Sequence, residues 1–497
     1  MKTVFSAMQA IGLGVLLGLS VTTVSIAQSL QPGFDKAEYM ELLKVSARFG
    51  DSAYVATFPI PMRYQFAYRS PVVGLDNVWD LWTSASTGTA VISLRGTTAN
   101  SVSWLGNFYA AMVPAQGELQ LSKTEVFPYH LADNPRAAVH VGWLVSTAFL
   151  AKDILPKIDS CYRKGIKNML IMGHSQGGAI GYLLTAHLYN LQKQGKLPAD
   201  IRFKTYCSAG PKPGNLYFAY EYEAMTQGGW AYNVVNAADW VPEVPFSIQT
   251  VNDMNVTNPF AGADATIKKQ PFFKRLVLRY VYNGLSKPAI KAQENYQKYL
   301  GNVASRTVKK NLKGYVAPEY YNSNHYVRTG ATVVLLADSA YYRRFPDSRE
   351  KIFAHHFHMP YLYLVSNLEL PRNATTSSTT PAPPTAPLTG TWELDYLAGP
   401  GTDVASLYPD KKPSLTFDAD NKRVAGTSGC NSFNAPLTLT GGDFRFPEAF
   451  AMTRMACPGN GEQTFLNTMK RINRYSVNGN TLTLLTGDIA VMRFMRK

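Results

Sequence analysis

A strand, a tight turn and a helix follow one another between residues 168 and 191, and this succession constrains the fold more than any other part of the chain. The turn, Gly173-His174-Ser175-Gln176-Gly177, fits the pattern Gly-x-Ser-x-Gly. The apolar run before it, residues 168–172, is typical of a buried strand. After it, apolar residues recur at helical spacing over residues 178–191, on one face that could pack against a sheet. With further apolar runs at 90–94 and 231–235, this alternation predicts an α/β fold with a mainly parallel sheet.

Composition divides the chain into four parts. Lys2 precedes an apolar run that ends in the small residues Ser25 and Ala27, which predicts a signal peptide over residues 1–27 and export to the cell envelope, periplasm or medium. An uncleaved anchor is the alternative. Residues 371–387 are rich in Pro, Ser and Thr and lack large apolar side chains, so we expect an extended linker. A long body, residues 28–370, and a C-terminal module, residues 388–497, remain.

The C-terminal module has a different pattern from the body. Short alternating stretches such as 414–417 and 481–484 are separated by turn sequences, and a helical stretch covers about 462–472. This pattern predicts a small, mostly β domain.

Overall composition excludes several classes of protein. With 46% hydrophobic residues the chain can bury a sizeable core, so disorder throughout is excluded. Four cysteines in 497 residues, none in a Cys-x-x-Cys pair, exclude a disulfide-built scaffold and a structural zinc site of that type. The net charge of +15 allows nucleic acid, a membrane surface or an acidic polymer as partner, but no nucleic-acid-binding motif appears.

The turn at residue 175 indicates nucleophilic chemistry. Ser175 would project its hydroxyl at a helix N-terminus, where backbone N–H groups favour developing negative charge. A serine hydroxyl needs a base to accept its proton and a carboxylate to orient that base, in the chain order Ser, Asp, His. Asp239 follows the predicted strand 231–235, where this fold presents catalytic groups, although a loop Asp is more often a turn or cap residue.

Four histidines follow Asp239 and are candidates for the base. They are His325, His355, His356 and His358. The last three are close enough in sequence to suggest metal binding as an alternative, but they lack the Cys or carboxylate partners of a typical zinc site.

Attack by a serine on a carbonyl group would form a tetrahedral intermediate, and the oxyanion of that intermediate requires N–H donors. The N–H of Gln176 is one candidate. The other is Thr97, at the end of Ser93-Leu94-Arg95-Gly96-Thr97, which could give both a backbone N–H and a hydroxyl. A plain turn at the end of a strand is the alternative.

Five blocks of the body resemble class 3 (fungal-type) triacylglycerol lipases. In chain order they are Ser93-Leu94-Arg95-Gly96-Thr97 with Trp104-Leu105, Val139-His140-Val141-Gly142-Trp143, Gly173-His174-Ser175-Gln176-Gly177-Gly178-Ala179, Ser208-Ala209-Gly210-Pro211-Lys212-Pro213-Gly214-Asn215, and Asn236-Ala237-Ala238-Asp239-Trp240-Val241-Pro242. The resemblance implies an α/β-hydrolase fold, an oxyanion hole at Thr97, a nucleophile at Ser175 and an acid at Asp239.

The resemblance also bears on the histidines and on two departures from the family. His356 is favoured as the base because Tyr361-Leu362 follows it at the family's spacing, and His358 is second. His140 lies in a block where a structural role is expected. Asn107 stands where the family commonly has an acid, which argues against acid-mediated bracing of the oxyanion loop. The second departure is a long insertion that separates Pro245 from the histidine cluster. The family's lid corresponds to about residues 101–136, whose apolar side chains would suit either a mobile cover or core packing.

The C-terminal module resembles a META (HslJ-like) domain of bacterial envelope proteins. The matching residues are Leu388-Thr389-Gly390-Thr391-Trp392-Glu393-Leu394, Gly429-Cys430-Asn431-Ser432-Phe433, Thr453-Arg454-Met455-Ala456-Cys457, and Glu462 with Phe465. Cys430 and Cys457 are the preferred disulfide pair because both lie in this module, with buried free thiols as the alternative. We interpret the module as a binding or stabilising appendage.

Together these features predict an exported serine carboxylic-ester hydrolase, a lipase acting on acylglycerols without metal or organic cofactor. A phospholipase or another esterase is one alternative, and an inactive secreted binding protein is another.

Most of the excess charge lies in one insertion. Residues 268–313 contain twelve Lys or Arg and one acid, Glu294, interleaved with aromatic and aliphatic residues. We expect this segment to contact an anionic membrane or envelope surface, with a solvated helical face as the alternative.

Overall fold

The structure is a computed structural model that describes residues 30–369, 388–398, 403–418, 422–440, 443–447, 449–486 and 489–497. The predicted signal peptide, residues 1–27, and the predicted linker, residues 371–387, lie outside the described residues.

The body, residues 30–369, alternates strands and helices. Its strands are β1 Gln65–Arg69, β2 Trp79–Ser84, β3 Thr89–Leu94, β4 Met112–Pro114, β5 Gln116–Ser122, β6 Glu125–His130, β7 Ala138–His140, β8 Asn168–His174, β9 Arg202–Ser208, β10 Gly214–Asn215, β11 Ala231–Asn236, β12 Tyr326–Val327 and β13 Ala331–Leu335. Its α-helices are α1 Lys36–Ser46, α2 Ser52–Thr57, α3 Ser101–Phe108, α4 Val141–Arg163, α5 Gln176–Lys193, α6 Leu216–Met225, α7 Ala263–Lys268, α8 Phe272–Gln297, α9 Ala304–Asn311, α10 Ser339–Arg344 and α11 His358–Ser366.

The main sheet of the body has seven strands in the order β1-β2-β3-β8-β9-β11-β13. Strand β2 runs antiparallel to both of its neighbours, and every pair from β3 to β13 is parallel. The predicted α/β fold with a mainly parallel sheet is therefore confirmed. Because β3, β8 and β11 run in one direction, the residues that follow them, including Thr97, Ser175 and Asp239, are delivered to the same edge of the sheet.

Helices cover both faces of this sheet, which is why its central strands are continuously apolar. Along β8, Met169 and Ile171 pack into the core beneath α4 and α5, whereas Leu170 and Met172 point to the opposite core, which α1 and α11 complete. Both cores need a full set of apolar side chains because successive residues of a strand face opposite sides.

The C-terminal domain is separate in architecture. Its eight-stranded antiparallel sheet has the order β20-β17-β16-β15-β14-β23-β22-β21. The strands in that sheet are β14 Gly390–Leu397, β15 Ser414–Asp418, β16 Arg423–Thr427, β17 Ser432–Pro436, β20 Ala451–Met452, β21 Arg474–Asn478, β22 Thr481–Thr486 and β23 Ile489–Arg496, while β18 Thr438–Thr440 pairs with β19 Asp443–Arg445. Its helices are α12 Val404–Leu407 and α13 Gly461–Met469. A disulfide joins Cys430 to Cys457, the preferred pair. The prediction of a small, mostly β domain is confirmed.

The described residues include no helix that is both long and apolar enough to cross a bilayer.

A buried histidine on α5 couples the stability of the body to pH. Burial lowers the pKa of His187 to about 4, and nearby Lys196 adds to the effect. In the unfolded chain the same group titrates near pH 6.5. Above that pH both states are neutral, and below it only the unfolded state takes up the proton, so stability falls as the pH decreases from about 6.5 to about 4.

We therefore expect His187→Phe, which retains an aromatic contact with Phe127, to flatten this dependence. Urea unfolding between pH 6 and pH 4.5 should show a slope smaller by about 1 kcal/mol per pH unit than that of the unmodified protein. Parallel stability curves for the two proteins would contradict this account.

Candidate active site

Ser175 occupies a tight turn between β8 and α5. Its φ of 62° and ψ of −130° are unusual for a residue with a side chain. The turn is possible because glycines flank it: a Cβ on Gly173 would lie 2.0 Å from the Gly177 carbonyl oxygen, and a Cβ on Gly177 would lie 2.2 Å from that of Leu94. The Ser175 N–H donates to the Ser208 carbonyl, 3.0 Å away on β9. The serine is thus fixed at the N-terminus of α5, where helix N–H groups lack intrahelical partners.

Asp239 and His356 are paired at the same edge of the sheet. The distance from His356 Nδ1 to Asp239 Oδ2 is 2.7 Å, and both side chains are buried. Tyr361 donates its hydroxyl to the same carboxylate oxygen at 2.7 Å, and the Val241 N–H donates to Oδ1 at 3.0 Å. Burial alone would raise the pKa of Asp239, but these hydrogen bonds and the charge of His356 hold it below its ordinary value. The ionised carboxylate accepts the Nδ1 proton, which leaves the lone pair on Nε2.

The competing histidines have other partners. His355 lies between the Tyr341 hydroxyl, 2.8 Å from Nδ1, and Asp347, 2.9 Å from Nε2. His358 lies 3.1 Å from both the Tyr54 hydroxyl and Ser46 Oγ, and its ring stacks on His174. The structure therefore brings His356, and neither of these neighbours, against Asp239.

The fourth candidate, His325, is also placed away from the pair. It follows Ser323, whose hydroxyl accepts from the His325 N–H at 3.2 Å and donates to Asp253. His140 has the structural position expected for it: it is fully buried, stacked on Trp143, and hydrogen bonded through Nε2 to the Asn107 carbonyl.

A directed chain of hydrogen bonds joins the nucleophile turn to His356. His174 Nε2 is 2.7 Å from the His356 carbonyl oxygen, which can only accept, so Nε2 carries the proton. Burial and the neighbouring His356 lower the pKa of His174 to about 3, so its Nδ1 is an acceptor for the Ser208 hydroxyl at 3.0 Å. Ser208 Oγ in turn accepts from the Tyr39 hydroxyl at 2.7 Å. The backbone of His356 is thereby held by the residue that precedes Ser175.

The loop that carries Thr97 lies directly against the nucleophile turn. A Cβ on Gly96 would lie 3.0 Å from the His174 carbonyl oxygen and 3.3 Å from Ser175 Cβ, so this position favours glycine. Asp76 braces the loop from the connection between β1 and β2: it accepts from the Thr98 hydroxyl at 2.6 Å, and it forms a 3.3 Å ion pair with Arg95. Sequence reasoning missed Asp76, because nothing in its local pattern links it to residues 95–98.

Asn107 on α3 also braces this loop, and its orientation is determined. Its Oδ1 lies 3.0 Å from the Trp143 indole nitrogen and 2.9 Å from Gln176 Nε2, two groups that can only donate. Its Nδ2 must therefore face Thr97 Oγ1, at 2.9 Å, and donate to it. One amide thus links both oxyanion candidates, Thr97 and Gln176. At the position where the family commonly has an acid, the Asn107 amide therefore braces the loop with one donor and two acceptor contacts.

Aromatic side chains surround the paired residues. Phe353 lies 5.8 Å from the His356 ring, 6.1 Å from Trp104 and 5.5 Å from Trp240, measured between ring centroids. Within the segment where a lid was expected, Tyr109 and Met112 are core residues, whereas Phe108 is 56% exposed and packs beside Trp104. The rim of the site is therefore apolar.

One group of residues of metal-ligating types lies outside this site, in the C-terminal domain. Among the described residues, Cys430, Cys457 and Glu462 are close enough to suggest a metal site. The two sulfur atoms form a disulfide, however, and only the thiolate form of cysteine is a metal ligand.

Comparison with known proteins agrees with this geometry. Residues 91–249 match the family model Lipase (class 3), and residues 386–497 match the META domain model. Among curated proteins, no relative matches this chain.

Similar solved structures include three fungal lipases. The triacylglyceride lipase of Rhizomucor miehei is 19% identical over 43% of this chain and 77% of its own, with a TM-score of 0.33. A triacylglycerol lipase from Penicillium expansum is 17% identical over 43% and 75%, with a TM-score of 0.33. The lipase of Rhizopus microsporus var. chinensis is 20% identical over 48% and 80%, with a TM-score of 0.31.

Both resemblances drawn from the sequence are confirmed by the family models. Residues 91–249 are thus similar to the class 3 lipase family and residues 386–497 to the META domain, each over less than half of the chain.

Proposed function

We propose that the protein is an exported serine hydrolase that cleaves carboxylic esters of acylglycerols. The observation that carries this proposal is the Asp239–His356 pair, which is hydrogen bonded through His174 to the turn that presents Ser175. The match to the class 3 lipase family supports the same chemistry.

In the proposed reaction His356 acts as the base. Its Nε2 accepts the Ser175 proton while Ser175 Oγ bonds to the ester carbonyl carbon, and the imidazolium that forms is stabilised by ionised Asp239. His356 then returns the proton to the departing alcohol, which leaves an acyl-enzyme on Ser175. Water, activated by the same nitrogen, releases the fatty acid and regenerates the hydroxyl. The fixed backbone of His356 and the carboxylate at Nδ1 together set the orientation that both proton transfers require.

The oxyanion would be held by Thr97 and Gln176. Gln176 is the first residue of α5, so its N–H points out of the helix end toward developing negative charge. Because Thr97 Oγ1 accepts a hydrogen bond from Asn107, the hydroxyl proton of Thr97 is free to donate to the oxyanion alongside its backbone N–H. Asn107 is therefore a positioning residue for both donors.

The substrate class follows from the rim of the site. Trp104, Phe353 and Trp240 offer apolar contacts to an acyl chain, and exposed Phe108 and Phe357 extend that surface.

Export is supported by the signal-peptide pattern of residues 1–27 and by the disulfide, since disulfides persist in oxidising compartments.

The nucleophile has a direct test. We expect Ser175→Ala to abolish hydrolysis of short- and medium-chain acyl esters and labelling by a fluorophosphonate probe, because the attacking oxygen is lost. Ser476→Ala, at an exposed serine on β21 of the C-terminal domain, is the control and should retain both. Retained hydrolysis in Ser175→Ala would overturn the mechanism, and an unmodified protein that neither labels nor hydrolyses would indicate an inactive fold.

The role of Asn107 is tested by two substitutions of similar size. We expect Asn107→Leu to lower kcat about 10²-fold, as loss of an oxyanion donor does in other hydrolases, with little change in KM. Asn107→Asp retains the acceptors for Trp143 and Gln176. It diverts the Thr97 hydroxyl proton to the carboxylate but leaves the backbone N–H of Thr97 for the oxyanion, so its loss of kcat should be smaller than that of Asn107→Leu. Asn100→Asp, at the N-cap of the same helix, places an equal charge on α3 and should leave kcat unchanged. Equal kcat for Asn107→Leu and the unmodified protein would refute the positioning role.

Tyr361 shares one carboxylate oxygen with His356, and this predicts a pH effect. Removal of its hydroxyl in Tyr361→Phe concentrates the negative charge of Asp239, which strengthens its attraction for protonated His356. We expect the acid limb of the kcat/KM profile to move to higher pH, with a severalfold lower kcat from the looser carboxylate. A lower melting temperature with an unmoved acid limb would instead indicate that Tyr361 only packs.

A further inference from the structure

Helix α8 is attached to the body along one narrow face. Of its 26 residues, Gln293 alone is buried. The partly buried positions recur three or four residues apart, which defines the inward face of a helix. They include Arg275, Arg279, Tyr282, Ser286 and Ala289.

The opposite face of α8 is apolar and exposed. At 100° per residue, Phe273, Val277 and Tyr280 lie opposite the inward face, with exposures of 80%, 62% and 82%. Phe272, Leu276 and Val281 flank them and are each at least half exposed. An amphipathic helix packed on a protein normally turns its apolar face inward, so this helix has the reverse orientation. A contiguous apolar patch of this kind marks an interaction surface.

Basic side chains frame this apolar face. Lys268 and Lys269 precede the helix, Lys274 borders the apolar residues, and Lys287 and Lys291 continue the outward side toward the C-terminal end. All five are exposed, and of these Lys291 is paired with an acid, Glu294, at 3.5 Å. Twelve basic residues and one acid within residues 268–313 give this segment a charge of +11.

Apolar and cationic groups on one exposed face identify the chemistry of the partner. Aromatic and aliphatic side chains insert at the boundary between acyl chains and headgroups, while lysines beside them attract anionic headgroups. Nucleic acid would satisfy the lysines but would leave three neighbouring turns of apolar side chains in water. A bilayer that contains anionic lipid satisfies both sets of groups.

The helix is anchored close to the proposed oxyanion loop. Beyond its C-terminal end, the Leu300 carbonyl accepts from the Ala110 N–H at 2.9 Å and from the Ala111 N–H at 3.2 Å. These residues directly follow α3, the helix that carries Trp104 and Asn107. Tyr296, in the last turn of α8, packs against Met112 and Tyr326. The exposed face is therefore joined to the segment that braces the site.

We propose that α8 is a membrane-docking helix, whose outward face inserts Phe273, Val277 and Tyr280 into the interface of an anionic phospholipid bilayer. This inference goes beyond the proposed function, since docking requires no catalysis. It places the ester hydrolase on a lipid surface through an insertion outside the segment where a lid was expected.

Cosedimentation with vesicles tests this docking. The full chain carrying Ser175→Ala, which cannot consume the lipid, is mixed with vesicles of pure phosphatidylcholine or of phosphatidylcholine with 30% phosphatidylglycerol. We expect at least tenfold tighter binding to the anionic vesicles, which weakens as salt is added. Equal binding to both compositions, or no binding to either, would overturn the proposal.

Two matched pairs of variants locate the surface. Phe273→Ser with Val277→Ser should weaken binding to anionic vesicles more than tenfold, whereas Val72→Ser with Val316→Ser, at apolar residues exposed elsewhere, should not. Lys274→Gln, Lys287→Gln and Lys291→Gln should also weaken it more than tenfold. Lys196→Gln, Lys412→Gln and Lys470→Gln remove the same total charge from other exposed positions and should have little effect. Equal losses within either pair would contradict docking through α8.

The remaining outcomes are also decisive. A stable dimer that dissociates in Phe273→Ser with Val277→Ser, without vesicle binding, would assign this face to a second copy of the chain and overturn the proposal. Circular dichroism and the melting temperature show whether each variant is folded. Fluorophosphonate labelling of the chain with Ser175 intact separates the two proposals, because a protein that labels but does not bind vesicles retains the hydrolase function and loses only the docking.

Discussion

The contact between the end of β3 and the start of α5 is the constraint on which the rest of the site depends. Gly177 approaches the Leu94 carbonyl so closely that a methyl group would overlap it, and Gly173 is equally restricted by Gly177. At this contact Ser175 has its unusual φ, and Gly96, which follows β3 and precedes Thr97, lies against the nucleophile turn. Nucleophile and oxyanion loop are adjacent because two backbones meet without intervening side chains.

Several hydrogen bonds at the site involve a group that can only donate or only accept, and these bonds fix the orientation of the neighbouring side chains. The Trp143 indole and the His356 carbonyl have fixed roles as donor and acceptor, and they orient Asn107 and His174 respectively. Asp239 receives donors from three sides, which lowers its pKa despite its burial. Networks of this kind are costly when one member is missing, because each buried group is satisfied by only one arrangement of its neighbours.

Much of the fold could be predicted from local pattern. The apolar runs at 90–94, 168–172 and 231–235 correspond to β3, β8 and β11, and the helical spacing after Gly177 corresponds to α5. These elements can be predicted because the periodicities of strands and helices are properties of consecutive residues. The role of Asp76 had no such signal, since it acts on residues that only the folded chain brings near, and the position of Asn107 was marked by the family resemblance and not by local periodicity.

The sequence by itself determined the α/β architecture, the Gly-x-Ser-x-Gly turn, the position of Asp239 after a strand and the excess of positive charge in residues 268–313. The family's spacing favoured His356 among four histidines, but only the tertiary structure showed that His356, and neither His355 nor His358, meets Asp239. It also decided that the apolar face of α8 points outward, since helical spacing defines a face but not its direction. The physical reason is the same in both cases. Patterns along the chain fix local geometry, whereas the contacts between side chains depend on packing between elements far apart in sequence.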